Sequence, residues 1–104
     1  AGSNVIENLS DIAPDLARYI IEFAFGQIYE RPGLSLQERE LLTLSSLLTA
    51  GGCEAQLQVH INAALHVGIK EEKIIEAFLH CIPYTGFPKV LNAVAVAGQI
   101  FSGK

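Results

Sequence analysis

Cys53, Gln56 and His60 are the residues of this sequence whose types and spacing best suit chemistry. At intervals of three and four residues they share one stripe of an α-helix, so a thiol, an amide and an imidazole would line a single face. Gly51-Gly52 immediately precede them and read as a turn. Cys53 then falls at the N-cap or first turn of the helix, where orphan N–H groups and the positive end of the helix dipole favour a thiolate. Together the three make a usable polar strip.

A third group comes from the preceding segment. Glu40 shares a helical stripe with Leu44, Leu47 and Gly51, whereas Glu38 shares one with Leu42, Ser45 and Thr49. A carboxylate on an apolar stripe requires a partner or a raised pKa, and His60 is the candidate partner. If the two helices pair antiparallel through Gly51-Gly52, a rise of ~1.5 Å per residue puts Glu40 roughly 17 Å back from the turn and His60 roughly 12 Å forward. The two then lie within about one turn in height, close enough for a direct or water-mediated contact. Singly, each residue has a plainer reading. A cysteine is commonly a small core residue, a histidine is commonly satisfied or exposed, and Glu40 can pair with Arg39 or another subunit at the surface. The convergence of the stripes sets the three apart.

The remaining candidates are weaker. His66, His80 and Cys81 show no zinc spacing, with no HExxH and no CxxC pair, so no metal is expected. His66 falls on the other side of the helix from His60, capping it or facing solvent near Gly68, and His80-Cys81 reads as structural at a helix end. Neither GxGxxG nor GxxxxGK[ST] occurs, which leaves nucleotide phosphate binding without support. Tyr84, Gly86, Phe87 and Pro88 read as a tight connection in which Tyr84 is a candidate to line a pocket.

Five helical stretches would position these groups. The first runs from about Ala13 to Tyr29, with Leu16, Tyr19, Ile20, Phe23 and Ile28 near helical period, and Arg31-Pro32-Gly33 ends it. The second, Leu36 to about Ala50, opens on a Ser35/Glu38 capping box. The third, Glu54 to Val67, stops at Gly68, a suitable C′ residue. The fourth runs from about Lys70 to Ile82 and breaks at Pro83. The fifth runs from Pro88, a favourable N1 residue, to about Phe101. Val90 to Gly98 is apolar nearly all round, and strand is the competing reading for Val94 to Val96; the length and the alanines favour helix. The fold class is all-α, in one domain over 1–104, with residues 1–10 irregular or an appended remnant.

Composition bounds the function. Half of the 104 residues are apolar and 17% are charged, which excludes disorder and is more apolar surface than so short a chain can bury alone. Subunit contacts are therefore expected, the fifth helix among them. A net charge of −4 with scattered Lys and Arg argues against nucleic acid or an anionic membrane surface as partner. Two cysteines 28 residues apart imply free thiols in a reducing compartment. The start is polar and unlike a leader, and no run approaches the ~18 apolar residues that span a bilayer, so a soluble, cytoplasmic protein is expected.

At Arg39-Glu40-Leu41, Gly51-Gly52-Cys53-Glu54, Gln56 to His60 and Tyr84-Thr85-Gly86-Phe87-Pro88, the chain resembles the carboxymuconolactone decarboxylase-like family of the alkylhydroperoxidase D-like superfamily. The resemblance runs from about Pro14 to Phe101. It implies a compact, orthogonal helical subunit of about five to six helices assembling into a ring, commonly a homohexamer built as a trimer of dimers. One branch decarboxylates 4-carboxymuconolactone to 3-oxoadipate enol-lactone. The other reduces peroxides or oxidised partners with a CxxC dithiol, assisted by a Glu and a His.

Carried over residue by residue, Glu40 resembles the family's Glu, Cys53 its first Cys and His60 its His, while Gln56 occupies the place of the second Cys. Gln56 tells against an intrahelical disulfide and is more similar to the decarboxylase branch. The resemblance thus implies a lyase acting on a small molecule without cofactor or metal. In it His60 donates a proton, Glu40 orients it, Gln56 binds a carboxylate or lactone oxygen, and Cys53 and Tyr84 line the pocket. The alternatives are a thiol-dependent, peroxiredoxin-like antioxidant acting through Cys53, and a family member with another substrate.

Overall fold

A residue ahead of proline is pushed out of the α region, and Ala13, before Pro14, adopts φ −145° and ψ 76°. The chain breaks there in the computed structural model, which describes residues 2–103 and side-chain surroundings from Glu7 onward. Helix α1 spans Gly2–Ile12 and α2 spans Pro14–Tyr19. Residues 2–10 are thus helical where an irregular start was expected; from Ser3 to Ile12 no proline or glycine interrupts the helix.

The expected helix over 13–29 is realised as α2 running directly into a π-helical segment, Ile20–Ile28. That segment closes with the Tyr29 N–H donating to the Ala24 carbonyl at 3.0 Å, five residues back. Gly26 fits this wider coil, since a Cβ there would come within 3.1 Å of the Ile21 carbonyl oxygen. The chain divides into two packing units, residues 1–36 and 37–104. Within the first, Ala17 is buried.

The second unit holds the candidate site. Its helices are α3 (Leu36–Ala50), α4 (Glu54–His66), α5 (Glu71–His80), α6 (Ile82–Thr85) and α7 (Phe87–Phe101). No strand occurs among the described residues, and the fold is all-helical. Each longer helix contributes one buried stripe at helical spacing: Leu44 and Leu48 from α3, Leu57, Ile61 and Ala64 from α4, Ile74 and Phe78 from α5, Val90, Ala93 and Ala97 from α7. Each large apolar side chain so buried stabilises the fold by about 1.5–3 kcal/mol. Helix α7 packs against both α4 and α5. Val94 to Val96 are helical, and the outer side of α7 leaves Phe87 66% and Leu91 63% exposed within the chain.

The breaks between these helices have local causes. Gly51 and Gly52, at φ 79° and 68°, make the left-handed turn between α3 and α4. Helix α4 ends in a Schellman motif around Gly68, φ 93°. Ile69 N–H donates to the Ala64 carbonyl and Gly68 N–H to the Leu65 carbonyl, both at 3.0 Å. The buried Ile69 and Ala64 supply the apolar contact that accompanies the motif. Pro83 does more than break a helix: it lies in the first turn of α6, where its missing N–H is no loss. Among the described residues, no helix is long and apolar enough to cross a membrane.

Candidate functional site

Glu40 occupies the buried stripe of α3 one turn before Leu44 and is 6% exposed. Carboxylates are almost never this deeply buried without a partner. Its Oε1 lies 2.9 Å from Nδ1 of His60 on α4, with the two side chains 7% and 19% exposed. An ionised carboxylate can only accept, so this contact places a proton on Nδ1 and leaves Nε2 as the nitrogen available to a substrate. The pairing also fixes the ring's orientation. A histidine held in this way can deliver a proton from Nε2 or take one there.

Cys53 is the N-cap residue of α4, with φ −115° and ψ 34°. Its carbonyl accepts the first helical bond from Leu57 N–H at 2.8 Å. The side chain does not cap the helix; Sγ donates instead to the Gly51 carbonyl at 3.4 Å, folding the thiol back over its own turn. Cys53 is partly exposed and Cys81 is buried at 8%, both as free thiols. Gln56 is exposed on the stripe between Cys53 and His60. Tyr84 is 79% exposed and sets its ring against His80, with centroids 5.7 Å apart and planes at 45°.

Of the residues singled out from the sequence, the structure therefore brings Glu40 and His60 into direct contact. Cys53 and Gln56 lie along the same helix, Cys53 engaged with its own turn, and Tyr84 is engaged with His80. His66 and His80 each sit exposed in the last turn of their helices, α4 and α5. Among the described residues no group of three or more His, Cys, Asp and Glu is disposed to hold a metal ion.

Two side chains absent from the sequence reading, Gln37 and Lys89, tie the helices of this unit together. Gln37 Nε2 donates to the Val67 carbonyl at 2.9 Å, joining the start of α3 to the end of α4. Lys89 Nζ, from α7, donates to the Thr49 carbonyl at 3.0 Å. Thr49 Oγ1 also bonds Thr85 Oγ1 of α6 at 2.9 Å. None of these residues has a periodic signature, because each acts by reaching a polar atom on another helix. For Gln37 alone a signal existed: it stands three residues ahead of Glu40, on the same face of α3.

Residues 14–99 match the model of the carboxymuconolactone decarboxylase family. The chain is 35% identical over 96 residues to a 4-carboxymuconolactone decarboxylase of Acinetobacter baylyi, covering 92% of this chain and 71% of that protein. It is likewise 35% identical over 99 residues to a nitrosuccinic acid decarboxylase of Metarhizium robertsii, covering 91% and 68%. A more distant relative, 25% identical over 95 residues, is an uncharacterized 15.0 kDa protein of Paracoccus denitrificans, covering 90% and 71%. The helical fold and these matches over most of its length identify the chain as a member of the carboxymuconolactone decarboxylase family.

Proposed function

We propose that the chain is a lyase that decarboxylates a small dicarboxylic acid in which the carbon losing CO2 is bonded to an electron sink, directly or through a C=C bond. The observation that carries this reading is the buried Glu40–His60 pair, joined at 2.9 Å. The relatives' names point to two such acids, 4-carboxymuconolactone and nitrosuccinic acid. In the first the sink is the unsaturated lactone carbonyl, and in the second it is the nitro group. As CO2 leaves, the electron pair of the broken C–C bond moves to the sink oxygen, giving a dienolate or a nitronate. A proton must then reach carbon.

Nε2 of His60 is the donor in this scheme, with Glu40 holding the ring in place. Gln56 binds a carboxylate or the sink oxygen, and Cys53 and Tyr84 border the site. No cofactor or metal enters the scheme. The chain acts as a homo-oligomer in a reducing, cytoplasmic setting, as a hexamer of three dimers. The apolar outer side of α7 supports the assembly, and the two free thiols support the setting.

The test is direct assay of both acids with purified protein. His60→Ala lowers kcat by about 10²–10⁴-fold, the range for a lost general acid, while Cys53→Ser keeps most of the activity. The reverse pattern would support a thiol-dependent antioxidant, which the partly exposed free Cys53 at the start of α4 favours. That chemistry requires an external or partner thiol to resolve the oxidised Cys53, since Gln56 carries no sulfur and Cys81 is buried. Mass spectrometry after mild peroxide treatment distinguishes the two by the presence of a Cys53 sulfenate or mixed disulfide.

A further inference from the structure

We infer that Gln37 is a positioning residue for His60, acting as a clasp at the open end of the α3/α4 pair; the inference rests on Glu40 and His60 being the working groups. The two helices are joined covalently only through the Gly51-Gly52 turn. Glu40 lies far from it, roughly 17 Å along α3 at ~1.5 Å per residue. It is only the fifth residue of α3, one turn from a helix start whose first N–H groups lack helical acceptors. Such ends fray. Without a second polar attachment, the depth and rotation of Glu40 against His60 rest on that distant turn and on the shared core of Leu44, Leu48, Leu57 and Ile61.

Gln37 supplies that attachment from the first turn of α3, on the face that carries Glu40. Its Nε2 donates to the carbonyl of Val67, the C-cap residue of α4, at 2.9 Å. The acceptor is left available by the way α4 ends. The Schellman motif satisfies the Ala64 and Leu65 carbonyls from Ile69 and Gly68, and the Val67 carbonyl faces outward to Gln37. Gly68 makes room for the clasp as well, because a Cβ at this φ of 93° would stand 3.3 Å from Gln37 Nε2. The carboxylate–imidazole bond is therefore bracketed by the glycine turn on one side and the Gln37–Val67 bond on the other.

The test follows the His60 Nδ1–H signal by 15N-edited NMR in the intact chain, together with kcat, KM and melting temperature. Gln37→Leu removes the donor. Gln37→Glu also removes it, yet places an acid in the first turn of α3, where the helix dipole favours one. Gln37→Lys keeps a donor. With one exposed hydrogen bond worth about fivefold in population, the Leu and Glu variants exchange the Nδ1 proton about fivefold faster. Their kcat falls by a similar factor with KM within twofold, and the Lys variant restores both. If exchange and kcat are unchanged in the Leu and Glu variants, or merely follow melting temperature, the inference is overturned. The NMR measurement needs no turnover, so it decides the role of Gln37 even if neither acid is a substrate.

Discussion

Removing His60 should cost far more stability than removing both members of the pair. In His60→Ala, the Glu40 carboxylate stays on a buried stripe, 7% exposed, without its partner. Stranding one member of a buried ion pair costs about 3–5 kcal/mol. Because the His60 side chain is 19% exposed, water can enter the vacated space, and the lower figure of about 3 kcal/mol applies. Glu40→Leu sets an aliphatic group in line with Leu44 and Leu48 and leaves an imidazole that can bond to water, for about 1 kcal/mol.

The double variant removes the stranded carboxylate as well, and loses only ring packing, again about 1–2 kcal/mol. The singles sum to about 4 kcal/mol, so the pair couples by about 2–3 kcal/mol, within the range for directly bonded residues. Urea unfolding at fixed protein concentration measures this. With a slope near 1.5 kcal/mol/M, His60→Ala shifts the midpoint down by about 2 M, and adding Glu40→Leu recovers about one-third to two-thirds of the shift. Additivity within about 0.5 kcal/mol would refute the argument that the buried carboxylate depends on His60.

Two further outcomes follow from exposure. Leu91→Glu, on the outer side of α7, leaves subunit stability within about 0.5 kcal/mol but lowers the assembly state in sedimentation or size-exclusion measurements, because a charge enters the uncovered apolar face; an unchanged assembly state would place the subunit contact elsewhere. Iodoacetamide on the native chain gives one adduct, at Cys53, and a second at the 8%-exposed Cys81 only on unfolding, read by peptide mass spectrometry. Equal native labelling of both thiols would contradict the burial of Cys81.

The Glu40–His60 contact was legible in the sequence for a physical reason. Both residues lie on regular helices flanking a turn marked by two glycines, so helical rise alone brings them to one height. The apolar stripe of Leu44 and Leu47 likewise foretold that Glu40 would be buried. The helix end at Gly68 was legible because capping is local chemistry. The break at Ala13 is written in the proline after it, but the widened coil over 20–28 is not, since apolar spacing does not separate bonds reaching four residues back from bonds reaching five. The roles of Gln37, Lys89 and Thr85 were also hidden. Each depends on where another helix ends or approaches, which no period of one helix encodes.

The turn at Gly51-Gly52 carries a consequence for how such a chain can diverge. Surface connections ordinarily tolerate inserted or deleted residues. Here the count of residues between Glu40 and His60 is itself part of the site. One residue added within the turn could be absorbed only by a bulge; carried into α4, it would rotate His60 by about 100° and displace it by about 1.5 Å, turning the imidazole off the carboxylate. Substitution can explore the face around the pair. Length variation has no comparable freedom between α3 and α4, and its permitted places lie in the connections outside that interval.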